Sequence, residues 1–229
     1  MRMKRILAAA LAATMVMASA LTASAATTTA GTGTSGSGTV SGGSGSSESS
    51  SESSSQPSAA QVYMDKASVK ADATMEIAGL KVKTSVAGIY AAYSVDGCAV
   101  TTPFADVVLA LGLKPGQTPK MVAYDTDMEK SYRAMASVNA AASALNATVV
   151  TAINVDLGAM QNNKWVELKD GSIAMMVGLP KTADLTKTYA VVCVQPGGAT
   201  TIYEDVDTNP ASVTFQVNAG LGTYAIVAY

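Results

Sequence analysis

The chain has 229 residues, 48% of them hydrophobic and 14% charged, with a formal net charge of −2 and no histidine. The missing histidine excludes Ser-His-Asp and Cys-His catalysis and the usual zinc ligand sets. The acidic balance, with Arg133 the single arginine beyond residue 5, leaves no basic stripe for nucleic acid.

The N-terminus reads as a secretory signal peptide over residues 1–25. Residues 1–5 (MRMKR) form a basic n-region, an apolar run follows, and Ala23 and Ala25 stand at the Ala-x-Ala positions. Cleavage is expected between Ala25 and Ala26. It removes Arg2, Lys4 and Arg5 and takes the net charge from −2 to −5. No cysteine follows the apolar run before Cys98, so no lipid anchor is expected. Residues 26–60 are rich in Ser, Gly and Thr and nearly lack apolar side chains larger than Ala. Such a segment predicts a disordered linker with a reach of about 30–35 Å, either a spacer from a surface or a solvated tail.

Residues 61–229 suffice for a core, and they show two textures. The first, residues 61–158, predicts a β/α portion. Residues 80–95 read as two strands meeting near Ala87-Gly88. Asp96-Gly97 is a hairpin dipeptide leading into a short strand at Cys98. Thr102 as N-cap, Pro103 at the first helical position and Gly112 as a stop predict a short helix, with Phe104, Val107, Val108 and Leu111 on one side. Residues 119–124 read as a strand. Residues 125–146 read as a long helix, with Met128, Tyr132, Met135, Ala142 and Leu145 at helical spacing and Asp125 or Asp127 as its cap. Residues 147–155 are β-branched and apolar, as a strand buried on both faces would be. Strand, helix and strand in this order predict a right-handed βαβ unit.

The second texture, residues 159–229, is strand and turn throughout. Six runs at intervals near ten residues predict a C-terminal antiparallel β-sandwich of Ig-like character. Val213, Phe215 and Val217 alternate with Thr214 and Gln216, giving one buried and one wet face. The fold class is therefore α+β. The two portions are either one compact unit or two.

Residues 189–198 (YAVVCVQPGG), 207–215 (DTNPASVTF) and 219–229 (AGLGTYAIVAY), with the leader and Ser-rich linker, resemble uncharacterised secreted proteins of anaerobic Gram-positive bacteria. More loosely, the final run is similar to the last strand of bacterial surface β-sandwich modules. The resemblance implies an extracellular, modular protein, β-rich at its C-terminus, and implies no activity.

Leu179-Pro180-Lys181-Thr182-Ala183 approaches the Leu-Pro-x-Thr-Gly signal for covalent wall anchoring. The fifth residue is Ala, no Lys or Arg occurs after Lys187, and no membrane-length apolar run follows. The stretch reads as a connection between two strands, and no membrane anchor is expected after signal cleavage.

Candidate chemistry is sparse. Asp125 and Asp127, with Glu129 near, lie between a strand and a helix, where a catalytic carboxylate pair or a metal would sit. Helix capping explains the same residues more simply. Asp205, Asp207 and Asn209 form an Asp-x-Asp-x-Asn array suited to Ca²⁺. Pro210 at the sixth position and Gln216 at the twelfth break the EF-hand pattern, so a polar turn is the simpler reading. Cys98 and Cys193 could form a disulfide between the two textures or serve as buried apolar residues. Trp165 with tyrosines on one face would make a sugar-stacking platform, and a buried Trp165 would end that reading. No cofactor is expected. The expectation is a secreted or cell-surface-associated non-catalytic binding or structural module. Its partner would be a wall polymer, a glycan or a protein, and not nucleic acid. The rivals are a carboxylate-dependent hydrolase and a glycan-binding module.

Overall fold

A computed structural model describes residues 67–229. The signal peptide, the Ala25–Ala26 cleavage position and the 26–60 linker lie outside the described residues. Thirteen strands and two helices make up the described part. They are β1 Ser68–Val69, β2 Thr74–Ile77, β3 Leu80–Lys83, β4 Ala87–Ala91, β5 Cys98–Val100, α1 Phe104–Ala110, β6 Thr118–Asp125, α2 Tyr132–Ala144, β7 Thr148–Gln161, β8 Lys164–Glu167, β9 Ser172–Gly178, β10 Tyr189–Val194, β11 Thr200–Glu204, β12 Ser212–Asn218 and β13 Gly220–Ala228. The fold is β-rich with a mixed sheet.

The larger sheet runs β1-β4-β6-β7-β13-β10-β11, with β8 added to β7. A three-stranded sheet, β12-β9-β5, faces it, and β2–β3 form a separate hairpin. The main core lies between the two sheets. Met121, Ile153, Val155, Leu157 and Ile226 of the large sheet meet Met175, Val177, Val213, Phe215 and Val217 of the small one. Phe215 and Tyr224 meet with ring centroids 5.6 Å apart. Val107 of α1 and Leu111, which caps it, complete this core.

A second core lies on the outer face of the large sheet. Met135, Val138 and Ala142 of α2 pack on Ala190, Val192, Val194, Ala225 and Val227. These helix positions recur at helical spacing, and the alanines between them allow close approach. Burying Met135 and Val138 contributes about 1.5–3 kcal/mol each. Strands β10 and β13 are thus covered on both faces, which explains why almost every residue of each is buried.

Several expectations from the sequence change here. Strands β6 and β7, joined through α2, are antiparallel neighbours and not a parallel βαβ pair. The turn after Asp125 carries the chain away from the sheet and α2 returns it to the same end. The parallel pair is β4–β6, whose crossover runs through β5 and α1. The Asp96-Gly97 turn does not make a β4–β5 hairpin. Strand β5 leaves for the small sheet and pairs with β9. The six C-terminal strands form, but not as an Ig-like sandwich of their own. Strands β8, β10, β11 and β13 join β4, β6 and β7, while β9 and β12 join β5. A sandwich of those six alone would leave the apolar outer faces of β10 and β13 bare. Residue 158, where the two textures divide, falls inside β7.

Helix boundaries also move. Helix α1 is capped at Pro103 without a side-chain bond, and Phe104 is exposed. Thr102 instead accepts a hydrogen bond at its Oγ1 from the Ala174 N–H (2.8 Å), tying the helix start to β9. Helix α2 begins at Tyr132, so Met128 and Tyr132 lie outside its buried stripe and are exposed. It ends at Ala144 with Leu145 as its cap, followed by Asn146 at φ +52°, the left-handed residue common after a helix.

Leu179 is buried in the main core, and residues 179–188 connect β9 to β10. The near-sortase pentapeptide therefore opens the segment leading into an interior strand. Among the described residues no helix is long and apolar enough to cross a membrane.

Gly88 is the tightest point of the β4–β6 pairing, since a Cβ there would overlap the Met121 carbonyl. Gly88→Ala is expected to cost about 1–3 kcal/mol. Urea denaturation checks it: the midpoint falls while the slope is unchanged.

Candidate functional site

The carboxylates singled out from the sequence serve their own backbone. Asp125 accepts the Tyr93 N–H at Oδ2 (3.0 Å) and the Ser94 N–H at Oδ1 (2.9 Å), pinning the chain after β4 to the end of β6. Asp127 accepts the Glu129 and Lys130 N–H groups at Oδ1, and Lys130 Nζ lies 3.0 Å from its Oδ2. The Lys130 hydrogen bond holds the Asp127 carboxyl below its ordinary value. The two acids cap separate turns and do not converge. Asp127 caps the turn before α2, while the helix cap itself is Ser131.

Asp205, Asp207 and Asn209 form a cascade of Asx turns between β11 and β12. Each side-chain oxygen accepts the N–H two residues on: Asp207 to Asp205 (2.8 Å), Asn209 to Asp207 (3.0 Å) and Ala211 to Asn209 (3.1 Å). Asp205 Oδ1 also takes the Thr214 N–H, and Asp207 Oδ2 takes the Ser212 and Thr214 hydroxyls. These oxygens are turned inward to hold the crossover from one sheet to the other. Among the described residues, no three or more Asp, Glu or Cys come together as a metal site.

Cys98 and Cys193 are free and buried, so the disulfide expected as one alternative is not formed. They enter the main core from opposite sheets, Cys98 on β5 and Cys193 on β10. Burial, then the charge of Asp125, pushes the Cys98 thiol up to about 12.

What the structure does bring together lies on the outer face of the large sheet, beyond the end of α2. The helix covers β7, β13, β10 and β11. The register places the remaining outward residues in rows. Tyr124 stands opposite Asn154, which is opposite Thr223. Val122 stands opposite Asp156, which is opposite Leu221. Lys120 and Glu167 flank Gly158. Trp165 pairs with Met160, and its six-membered ring fills the space that a side chain at 158 would occupy. Trp165 is 40% exposed, Tyr124 39% and Leu221 44%. A strip of outer sheet face therefore runs along β7 from Trp165 to Tyr124, which pair with opposite sides of that strand and are each partly open to solvent.

The turn between β7 and β8 creates this arrangement. Asn162 and Asn163 both take positive φ, +50° and +61°, between paired Gln161 and Lys164. That is the two-residue hairpin geometry Asn tolerates well. A one-residue slip would turn Trp165 to the other face. The Asn162-Asn163 pair is the sequence signal for this hairpin, which sets Trp165 on the outer face.

Asp156 sits mid-strip. Burial, then the charge of Glu167, raises its carboxyl above the ordinary value. No donor among the described residues bonds it, and the sole ion pair among them is Lys130–Asp127. Burial and the Asp156 charge raise the Tyr124 hydroxyl in turn. At the α2 end the strip opens into a groove of about 300 Å³ lined by Tyr124, Tyr132, Arg133, Asn154, Leu221 and Thr223, among others. A further depression of about 490 Å³ continues between Ser137 and the turn at residues 195–198. Asn154 Oδ1 accepts the Thr223 hydroxyl (2.7 Å), which leaves its NH₂ as the group available to a guest. Arg133 donates from Nε to Tyr132 Oη (2.9 Å) and has no carboxylate partner among the described residues.

The raised Cys98 thiol sets an alkaline limit. It stays protonated in the folded protein while the unfolded thiol ionises from about 9.0, so stability is full below that pH and falls as pH rises towards 12. Thiol titration is expected to find no reactive thiol in the native protein at pH 8 and two after unfolding. A titre in the native state would contradict this placement.

No family model, curated protein or solved structure matches the chain, so its function is read from this geometry.

Proposed function

We propose that the protein is a secreted, non-catalytic binding module that engages a partner at the cell surface through the open half of its outer sheet face. The observation that carries this is Trp165, seated on Gly158 and still 40% exposed, on the same outer face as Tyr124 and Leu221. Half-exposed aromatics on a rigid sheet are the kind of anchor from which binding surfaces draw most of their energy. The carboxylates first suspected of catalysis accept backbone N–H groups instead. The signal peptide and the spacer expected from the sequence fit a module held out from a surface. The resemblance to secreted proteins of anaerobic Gram-positive bacteria fits the same setting.

A second reading is a carboxylate-dependent glycosidase with Asp156 as acid and Glu167 as base. It is favoured by the raised Asp156 carboxyl and the nearby Glu167 charge. The strip lies on an open sheet face, which does not shield a reacting bond from water.

One experiment separates the two. The full chain is mixed with purified, insoluble cell-wall polymer and sedimented, and the supernatant is assayed for released reducing sugar. Wild-type protein is expected to sediment, Trp165→Ala to stay in solution, and no sugar to appear. Release of sugar that Asp156→Asn abolishes would establish the hydrolase instead.

A further inference from the structure

We infer that the strip is built for an uncharged polysaccharide chain, with sugar rings stacked on Trp165 and Tyr124 and sugar hydroxyls donating to Asp156. The inference rests on the binding-module reading and adds the class of ligand. The C–H bonds on one face of a pyranose carry partial positive charge, which suits the negative face of an aromatic ring. Trp165 packs on backbone at Gly158 and does not project from the sheet. It therefore offers ring surface at the level of the sheet, as stacking requires and as plugging a protein pocket does not.

Asp156 decides the charge of the guest. Its carboxylate is partly desolvated and bonded by no donor among the described residues, with Glu167 as a like-charged neighbour. A guest must bring donors to it and no negative charge. Sugar hydroxyls do so, and with Lys120 and Arg133 offsetting Asp156 and Glu167 along this face the site has no net charge with which to recruit a charged polymer. The Asn154 NH₂ and Arg133 at the groove end then supply donors for hydroxyl, ring or acetamido oxygens.

Trp165, Tyr124 and Leu221 expose on the order of 250 Å² between them, taking 150–250 Å² for a fully exposed aromatic. From the row of Met160 and Trp165 to that of Asn154 and Tyr124 is six residues of β7, about 20 Å. The groove continues beyond. A strip open at both ends accepts the interior of a chain and not only its terminus.

The test uses the full chain and its single tryptophan, whose emission reports the strip directly. Hexamers of β-1,4-linked N-acetylglucosamine, glucose and xylose are titrated against it, with an oligogalacturonate hexamer as the charged control. Calorimetry covers the Trp165→Ala variant. At least one neutral hexamer is expected to shift Trp165 emission, and oligogalacturonate to bind at least tenfold more weakly. Trp165→Ala, Tyr124→Ala and Asp156→Asn are each expected to weaken binding tenfold or more. Asp156→Asn is also expected to raise the melting temperature, since it removes an unpartnered, partly buried charge. A merely structural Asp156 would move stability the other way.

Tighter binding of oligogalacturonate than of any neutral hexamer would overturn the inference. So would silence from every neutral hexamer while wild-type protein, and not Trp165→Ala, still sediments with wall polymer. In that second case the binding face would stand and only the ligand class would fall. Failure of both titration and sedimentation would remove the binding reading as well.

Discussion

A 13-residue helix has to cover one face of an eight-stranded sheet, and it is too small. At 1.5 Å per residue α2 is about 20 Å long, whereas strands about 4.8 Å apart make the sheet roughly 30 Å wide. The inner face has no such shortage, because the three-stranded sheet and α1 meet it. On the outer face α2 goes where the need is greatest, over β10 and β13, whose outward residues are Ala190, Val192, Val194, Ala225 and Val227. The half over β4, β6 and β8 is left open. The residues there differ accordingly: lysine, tyrosine, aspartate, glutamate and tryptophan in place of alanine and valine.

That division makes the outer face of β7 two surfaces in one strand. Its N-terminal part, with Val149 and Ala152, lies under the helix. Its C-terminal part carries Asp156 and Gly158 into the open strip. Asn154 and Thr223 mark the boundary, a buried hydrogen-bonded pair at the floor of the groove where α2 begins. The scaffold under the strip is rigid because β7 is paired on both sides, by β6 and by β13 and then β8. Rigid support costs a guest little ordering entropy.

Much of this was legible in the residues and some was not. The alternation of Val213, Phe215 and Val217 marked β12 correctly, and each C-terminal strand appears near its expected place. The partners of those strands were hidden. Nothing local tells β5 to leave β4 for β9, or β10 to join β13, because pairing between strands distant in sequence depends on which faces remain to be covered. The βαβ expectation failed for a related reason: a helix between two strands does not by itself set their direction. Asp125 and Asp127, and Asp205 and Asp207, lie close together in sequence in patterns that suit a catalytic pair or a metal. Turns use the same residue types to hold backbone N–H groups, and here they do. Trp165 was legible as a stacking residue; that it shares a face with Asp156, nine residues earlier, depends on the Asn162-Asn163 turn.

The most direct test of the central claim is amide chemical-shift mapping on the isotopically labelled full chain as a soluble wall-glycan digest is added. The account expects shifts confined to residues 120–124, 154–160, 165–167 and 221–223, together with the Trp165 indole N–H. Shifts centred instead on the 204–210 loop, or on the small sheet, would show that the open half of the outer face is not where this protein binds.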